Sequence, residues 1–499
     1  MKKFLFTLAV FVLAAGMAFP GGRKQQPEAG GKRTVTFIIF GDKTDRMVEY
    51  MANDLPKLMQ EKGLGNIEVD LQVLPWSEYV GPGIELRYAN GEDFATWTGT
   101  PELPRFVSKG YLLEITDAMI NAYAPNAKAK IAPESFTAFS QDGKCYALPI
   151  GNKPNASEWY AVAVRQDILE ETGMREITTL EELEAFYTAA KRLHPEYIGF
   201  AEGGATDTYG AAKLLSGYIS SKNMLFLNEL IITDASANDD RIWSYFESDE
   251  FKNYAAIARR WNQIGIIDSQ VLSDSTIAAS KWTAGQAFFR NGNAGRPWED
   301  LPTQRLANTN AKLRCFFIGE TRNRPKISRG TYSTAFQISV NAAHPEDYLK
   351  VIDLLYSDRA AYDYMVYGVN GKDYTLDAKG KLATRPSNQV FLPEWAPNYV
   401  PWQRFDSVID DAVVDDYRKW NDGAIMQKDI GFTFDAEPVK VEYAQIQAVV
   451  NEYAPQIVWG FADYNTVYPE FLRRLKNAGI DRYAAEFQKQ FSTFYSGKK

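Results

Sequence analysis

Hydrophobic and polar positions in the N-terminal part of the chain alternate between strand-like and helix-like patterns. Residues 34–40 form an almost continuous apolar run, which is typical of a strand buried on both faces. Apolar residues recur at helical spacing over 45–62, where Pro56 is expected to kink or break the helix. A strand pattern follows over 67–73, and 77–97 has the pattern of a helix and then a third strand. This order predicts a parallel sheet with right-handed crossovers.

A second unit of alternating pattern begins after a linker at 149–155, which is rich in turn-forming residues. It opens with a predicted strand at 160–164. Thr179 and Glu182 have the spacing of a capping box, which predicts a helix that ends near residue 193. Another strand is predicted over 334–340, and the C-terminal part is predicted to be helical. The last helix carries an apolar stripe that we expect to pack in the core: Phe487, Phe491 and Phe494.

Polar and aromatic residues follow several of the predicted strands. Open α/β sheets bind ligands in the crevice outside the carboxyl ends of their strands. Asp42 and Lys43 follow the first strand, and Trp97 lies at the end of the third. Glu202 and two glycines follow an apolar run at 197–200, and the glycines would allow a close approach to a ligand. We expect these residues at a cleft; a helix cap at Asp42 and a plain turn at Glu202 are the alternatives.

The N-terminal residues have the pattern of an export signal. Two lysines precede an apolar run at 4–15, and residues 16–18 supply a cleavage site. We predict a signal peptide at 1–18 and a disordered leader at 19–33. The first cysteine is Cys145, so no lipid attachment site stands at the predicted cleavage point. We therefore expect a periplasmic protein that is secreted by its signal peptide and carries no lipid anchor.

Composition narrows the functional classes further. The 499 residues exceed what one ordinary core holds, so two lobes are expected. The net charge is −8 and no basic block occurs, which argues against nucleic-acid binding. His194 and His344 both precede prolines, and no nucleophile elbow, phosphate-binding loop or metal-spaced cluster is present. We predict no catalytic residue, no cofactor and no metal site; a structural calcium ion stays open, although no twelve-residue calcium-binding loop pattern occurs. Cys145 and Cys315 leave a disulfide or two buried thiols open.

A series of short motifs occurs in an order that resembles the family 1 extracellular solute-binding proteins of ABC sugar importers, in particular their large lipoprotein-type subgroup. The resemblance covers essentially the whole mature chain. The chain departs from many such relatives because it lacks their lipidated cysteine. The motifs are NGEDF at 90–94, KCYALP at 144–149, GQA at 285–287, FQISVN at 336–341, GVNGKDY at 368–374, GFTFDAEPVK at 431–440, VNEY at 450–453 and FLRRLKNAGID at 471–481.

The resemblance implies an α/β protein with the type II periplasmic binding-protein fold, in which two discontinuous α/β lobes are joined by a hinge. It also implies a monomeric, non-enzymatic receptor. Such a receptor captures a sugar or oligosaccharide in the cleft between its lobes and delivers it to the membrane permease subunits of an ABC transporter. We place the N-terminal lobe at 34–150 plus 331–385 and the C-terminal lobe at 151–330 plus 386–499, with crossings near 148–155, 328–333 and 381–394.

Sugars present flat C–H faces bounded by hydroxyl groups, which suit aromatic rings flanked by polar side chains. The chain contains 11 Trp, 28 Tyr and 29 Phe, more than a core alone explains. For each candidate, packing in the core or at a lobe interface is the alternative. The ligand-binding candidates are Asp42, Lys43, Trp97, Glu158, Trp159, Glu202, Trp282, Trp298, Tyr332, Trp395, Trp402 and Trp459.

Two other functions stay open on the sequence. A secreted carbohydrate-active enzyme also combines aromatic residues with a pair of carboxylates, and the chain has ample carboxylates. A peptide or amino-acid receptor of the same fold would need a charged pair for the ligand termini and fewer aromatic residues.

Overall fold

The computed structural model describes residues 31–98, 103–151, 156–157, 159–204, 207–274, 276–319, 324–328, 334–386 and 389–497. The predicted signal peptide, most of the predicted leader, Glu158 and Tyr332 lie outside these residues. The strands are β1 (Arg33–Phe40), β2 (Ile67–Leu74), β3 (Ala95–Thr98), β4 (Ser140–Gln141), β5 (Lys144–Cys145), β6 (Ala147–Pro149), β7 (Ala161–Arg165), β8 (Ile198–Phe200), β9 (Met224–Phe226), β10 (Ile231–Asp234), β11 (Ile242–Ser244), β12 (Ala287–Gly292), β13 (Leu313–Phe317), β14 (Ile327–Ser328), β15 (Ala335–Ile338), β16 (Thr375–Leu376), β17 (Leu382–Thr384) and β18 (Ile425–Met426).

The α-helices lie between and after these strands. They are α1 (Asp45–Glu49), α2 (Leu55–Glu61), α3 (Trp76–Glu78), α4 (Ile84–Ala89), α5 (Leu103–Ser108), α6 (Asp117–Tyr123), α7 (Pro125–Lys130), α8 (Pro133–Ala138), α9 (Gln166–Glu171), α10 (Leu180–Leu193), α11 (Ser216–Ile219), α12 (Asp249–Ile264), α13 (Ile277–Thr283), α14 (Arg296–Ala307), α15 (Pro345–Asp353), α16 (Arg359–Tyr367), α17 (Asp411–Arg418), α18 (Lys440–Val458), α19 (Tyr464–Asn477) and α20 (Ile480–Gly497).

The first sheet has the strand order β2-β1-β3-β15-β6. β1 pairs in parallel with β2 and β3, as the alternating pattern predicts. β15 is the strand predicted over 334–340, and it returns antiparallel to β3 and β6. The apolar run of β1 lies in the middle, where Phe37, Ile38 and Ile39 are fully buried. The carboxyl ends of β1, β2 and β3 therefore meet along one edge of this sheet.

The helical segment after β1 is interrupted close to Pro56, where a kink or break was expected. The segment from Asp45 to Glu61 is divided into α1, a π-helical turn at Tyr50–Asp54 and α2. Pro56 lies in the first turn of α2, where its missing N–H costs no hydrogen bond. The expected break therefore takes the form of a π turn just before the proline.

The second sheet has the order β13-β7-β12-β8, in which β7 is antiparallel to both neighbours and β12 is parallel to β8. The predicted capping box is present at the start of α10, since Thr179 accepts from the Glu182 backbone and the Glu182 side chain accepts from the Thr179 backbone. Gly265 ends α12 at a φ of 81°, a conformation that favours glycine.

Two large groups of buried side chains follow the two sheets. One group lies around the first sheet and includes Phe37 and Tyr348. The other lies around the second sheet and includes Trp261, and the C-terminal helices α18, α19 and α20 pack on it. Phe487 and Phe491 are buried there and Phe494 packs beside them, so the predicted stripe is confirmed as core packing.

We propose that each sheet with its helices forms one lobe, and we revise one proposed crossing. Val390, Phe391 and Leu392 pack with the first core. Phe405 and Ile409 pack with the side chains around the second sheet. A third crossing at 397–404 fits this packing better than the expected one at 381–394, and it moves 386–396 from the C-terminal lobe to the N-terminal lobe.

Two further features bear on the sequence-based expectations. Within the part of the chain that the structure describes, no helix is both long and apolar enough to cross a membrane. Cys145 and Cys315 are free thiols. Burial raises the pKa of Cys145 to about 11, and that of Cys315 above its usual range as well. Neither is therefore an activated nucleophile.

Candidate functional site

Five aromatic rings cluster at the carboxyl ends of β1, β2 and β3. We call this cluster the aromatic platform; it consists of Phe40, Trp76, Tyr79, Trp97 and Trp395. Phe40 is its centre, with ring centroids 5.0 Å from Trp76, 4.9 Å from Trp97 and 5.5 Å from Trp395. Trp76 is 52% exposed, so its ring is open to solvent. The platform presents an aromatic surface where open α/β sheets bind ligands.

Hydrogen bonds fix the platform to the strands below it. The Tyr79 hydroxyl donates to the carbonyl of Trp97 and lies 2.6 Å from Oγ1 of Thr96. Thr96 in turn donates to the carbonyl of Ile38 in β1. The indole N–H of Trp97 is buried and has no hydrogen-bond partner in the described part of the chain. Such unpaired buried groups are rare, so this N–H stands out as a donor without an acceptor.

Charged side chains form a network beside the carboxyl ends of β8 and β12 on the second sheet. Arg290 donates to Glu202 with an Nε–Oε1 distance of 2.7 Å. Asp300 lies 3.5 Å from Arg296 and accepts a 2.8 Å bond from the indole of Trp282. Burial raises the pKa of Glu202 above its usual range, although Arg290 acts in the opposite direction. The network offers both donors and acceptors for hydroxyl groups.

Trp159 stands beside this network on a left-handed backbone. Its side chain is 39% exposed, and the Arg296 guanidinium carbon lies 5.2 Å from its ring centroid, within cation–π range. The φ angles are 67° at Trp159 and 51° at Ser157. Residues with a Cβ pay about 1–2 kcal/mol each for this conformation, and such strain concentrates at binding and active sites.

Neighbouring segments hold the strained turn in place. The Ser157 hydroxyl accepts from the backbone of Ile327 at 2.9 Å, and the Ser157 N–H donates to the carbonyl of Ile327. The indole of Trp420 donates to the carbonyl of Ala156 at 2.7 Å. The Trp159 N–H donates to the carbonyl of Gly292 at the end of β12. These bonds set the position of the Trp159 ring beside the second sheet.

The structure brings six of the twelve candidate residues to these two surfaces. Trp97 and Trp395 belong to the aromatic platform, and Trp159 and Glu202 belong to the surface beside the second sheet. Asp42 and Lys43 are exposed and directly follow Phe40 and Gly41 at the end of β1. Thr44 caps α1, so the alternative of a helix cap at Asp42 does not apply.

Four further candidate tryptophans lie outside the exposed parts of these two surfaces. Trp282, Trp298 and Trp459 are at most 3% exposed, so their rings are enclosed by protein. Trp459 donates to the carbonyl of Gly204 and so supports the loop after Glu202 from below. Trp402 packs edge-on against Tyr399, outside the platform.

The sequence patterns did not single out Trp76, Tyr79, Arg290 or Arg296. Trp76 had a usable signal, since it stands two residues after Leu74, the last residue of β2. The rule that pointed to Asp42 and Trp97 applies equally to that strand end. The arginines had no comparable signal, because their roles depend on which carboxylates and rings the fold brings near them.

Among the described residues, one group of side chains is close enough to hold a metal ion: His344, Glu346 and Asp347. Its carboxylates are already paired, since Arg33 contacts Asp347 at 2.6 Å and Glu346 at 4.0 Å, and Lys350 contacts Asp347 at 3.1 Å. Arg33 and Lys350 would therefore repel a metal ion at this position.

Solved structures resemble the fold over almost its whole length. An N-glycan transport solute-binding protein (NgtS) from Streptococcus pneumoniae has a TM-score of 0.76 at 21% identity, covering 94% of this chain and 100% of that one. The alginate-binding protein AlgQ2 without calcium ion has a TM-score of 0.60 at 16% identity, covering 93% of this chain and 98% of that one. These similarities show the two-lobed α/β fold of periplasmic solute-binding proteins.

Sequence comparisons agree with the fold. A Streptococcus pneumoniae carbohydrate ABC transporter substrate-binding protein is 23% identical over 519 aligned residues, which cover 100% of this chain and 99% of that protein. Residues 429–496 match a domain of unknown function, DUF3502. Residues 42–362 match the model of bacterial extracellular solute-binding proteins, and this match covers more than half of the chain. The chain belongs to the bacterial extracellular solute-binding protein family.

Proposed function

We propose that this protein is an exported receptor that captures a sugar or oligosaccharide between its lobes and delivers it to the membrane permease subunits of an ABC transporter. The aromatic platform is the observation that carries this proposal. Its exposed ring, Trp76, lies at the strand ends, the edge at which open α/β sheets generally bind ligands, and rings of this kind cover the C–H faces of sugars. Similar proteins named as carbohydrate or N-glycan receptors support the same ligand class.

The second surface supplies the polar half of such a site. Glu202 accepts and Arg290 donates, and Trp159 adds an exposed ring beside them. A hydroxyl that matches these groups keeps its hydrogen bonds when the lobes close, whereas an unmatched group costs about 1–3 kcal/mol. This arrangement favours selection by stereochemistry. Hinge closure around the ligand is the motion we infer for the two lobes.

The finer parts of the proposal concern activity and location. The relatives are binding proteins, and we propose that this chain also binds its sugar without cleaving it. We further propose that it acts as a monomer in the periplasm, that residues 1–18 direct its export, and that it carries no lipid anchor. Incubation of the protein with a bound oligosaccharide, followed by chromatography, should then return the sugar intact.

A thermal-shift screen of neutral and acidic saccharides tests the ligand class. Ligand at a hundred times its Kd should add about 2.7 kcal/mol to the free energy of unfolding. Trp76→Ala should weaken sugar binding about tenfold with little change in stability, because Trp76 is more than half exposed. Trp402→Ala is the matched control, since this tryptophan packs against the first core but outside the platform.

Three results would decide against the proposal. The first is a peptide pool that shifts the melt when no saccharide does. The second is equal sugar affinity in Trp76→Ala and the wild type. The third is a bound oligosaccharide that the protein cleaves, which would favour a carbohydrate-active enzyme instead.

A further inference from the structure

A cavity of about 500 Å³ lies against β13, the edge strand of the second sheet. We call it the basic pocket. Its volume lies within the range of about 300–1,000 Å³ that is usual for small-molecule sites. Among the described residues that line it, none belongs to the aromatic platform or to the surface around Trp159 and Glu202. Four separate stretches of the chain supply its walls: 175–178, 314–317, 324–326 and 416–420.

Positive charge predominates in the basic pocket, although the whole chain has a net charge of −8. Two acidic residues, Glu176 and Asp416, are among the described residues that line it. Five basic residues line it as well: Arg175, Arg314, Arg324, Lys326 and Lys419. A cleft with an excess of one charge focuses the electric field and attracts ions of the opposite sign. The basic pocket therefore favours an anionic ligand.

Lys326 brings to the pocket a cation that lacks a counter-ion. Within the described part of the chain, its ammonium group makes neither a hydrogen bond nor an ion pair, and it lies 4.5 Å from the ring centroid of Trp420. Burial lowers the pKa of Lys326 below its usual range, although Asp416 and Asp422 act in the opposite direction. An anion bound beside this ammonium group would offset the cost of burying its charge.

Hydrogen bonds hold the side chains around Lys326 in fixed positions. The indole of Trp420 donates to the carbonyl of Ala156 at 2.7 Å. Arg324 donates to the hydroxyl group of Ser216 at 3.0 Å. A site whose side chains are already oriented loses less conformational entropy when a ligand binds.

The walls suit a phosphate group better than a carboxylate. A phosphate monoester carries a charge of about −1.5 to −2 at pH 7 and three strong acceptor oxygens, whereas a carboxylate carries a single charge. Arginine and lysine side chains are the usual partners of phosphate in proteins. Phe317 and Trp420 also line the pocket, so an organic body attached to the phosphate would meet aromatic surface.

We propose that the basic pocket binds a phosphate group, either as the free ion or on a small organic body. This site goes beyond the proposed function, because it is lined by other residues than the two surfaces assigned to the sugar. Its basic residues come from distant parts of the chain, which explains why no basic run in the sequence indicates it.

Calorimetric titration at constant ionic strength with inorganic phosphate, phenyl phosphate and benzoate tests the site. At least phenyl phosphate should bind at one site per chain and more tightly than benzoate. Tighter binding of phenyl phosphate than of inorganic phosphate would identify an organic ester as the ligand, and equal binding would identify the free ion. Lys326→Met keeps the aliphatic stem and removes the charge, so it should weaken the binding of phenyl phosphate about tenfold.

A second variant guards against a folding defect in Lys326→Met. Lys419 is exposed, so Lys419→Met should fold normally and should weaken the binding of phenyl phosphate about threefold. Lys252→Met is the matched control, because this exposed lysine on α12 removes the same charge away from the pocket. Its affinity should equal that of the wild type.

Three results would overturn the inference. The first is the absence of saturable binding of both phosphate compounds. The second is benzoate that binds as tightly as phenyl phosphate. The third is an affinity that both pocket variants leave unchanged, or that Lys252→Met lowers as much as they do. Sugar binding is measured separately, so each of these results would leave the proposed function intact.

Discussion

Arg385 bridges two carboxylates next to the platform residue Trp395. Its guanidinium donates to both Glu394 and Asp406. Tyr367 also donates to Glu394, at 3.0 Å. Burial raises the pKa of Glu394 above its usual range, and Arg385 opposes that rise. The two carboxylate side chains are each 11% exposed, so replacing Arg385 leaves two nearly buried anions without their cation.

The expected loss follows from this geometry. Removing one partner of a buried ion pair costs about 3–5 kcal/mol. The Arg385 side chain is 30% exposed, and solvent therefore screens part of the interaction. We expect Arg385→Met to lower the free energy of unfolding by about 3 kcal/mol at pH 7. Its sugar affinity should fall too, because Trp395 directly follows Glu394.

The loss should shrink as the pH falls. The pKa of Glu394 in the folded state lies above the ordinary value of 4.5, so protonation stabilises the folded state relative to the unfolded state. Without Arg385 this pKa rises further, and the carboxyl group takes up its proton at a higher pH. The penalty is therefore full at pH 7 and decreases as the pH falls towards 4.5.

Scanning calorimetry at pH 7 and pH 5 measures the effect in the wild type, Arg385→Met, Glu394→Gln and the double variant. Neutralising Glu394 in the Arg385→Met background should recover about 1 kcal/mol or more. Arg473→Met is the matched control, because this arginine is 59% exposed and its pair with Glu470 contributes little. Two results would refute this ion-pair account. One is a melting temperature of Arg385→Met equal to that of the wild type at pH 7, and the other is a loss of stability that neither lower pH nor Glu394→Gln reduces.

Three further predictions concern the second sheet. Ser157→Ala should cost about 1–3 kcal/mol, because the buried N–H of Ile327 loses its acceptor; chemical denaturation measures this loss, and an unchanged midpoint would contradict it. Glu202→Gln should weaken sugar binding, and wild-type affinity should fall as the pH drops through the raised pKa of Glu202; a flat pH profile in calorimetric titration would argue against contact. Trp459→Ala should cost about 3–5 kcal/mol in thermal melts yet leave sugar affinity intact, whereas the reverse outcome would place Trp459 in the site.

Local signals in the sequence predicted much of the secondary structure because the physical cause lies within a few residues. The Thr179–Glu182 capping box defines the start of α10, and the apolar run of β1 predicts a buried strand. The third crossing depends on long-range packing. Val390 and Leu392 are apolar, but nothing local to them states which of two cores they join.

The tryptophans show the same limit for the site. Trp97 and Trp282 both have polar neighbours in sequence, yet Trp97 borders the exposed platform and Trp282 is 2% exposed. The two tryptophans differ in their tertiary surroundings. Trp97 lies at the open edge of the first sheet, whereas α14 supplies Asp300 as a hydrogen-bond acceptor for the enclosed indole of Trp282. Position near a strand end is the signal that Trp97 and Trp76 share.

The left-handed backbone at Trp159 lowers the stability of the fold, whereas the ring that it carries is proposed to bind the ligand. Selection for stability and selection for binding therefore favour different residues at this position. Replacing Trp159 with glycine would relieve about 1–2 kcal/mol of backbone strain. The fold would lose little stability with the ring, because the Trp159 side chain is exposed. Directed evolution for heat resistance alone should therefore tend to erase this tryptophan early. A variant selected in this way would gain stability and lose sugar binding through the same substitution.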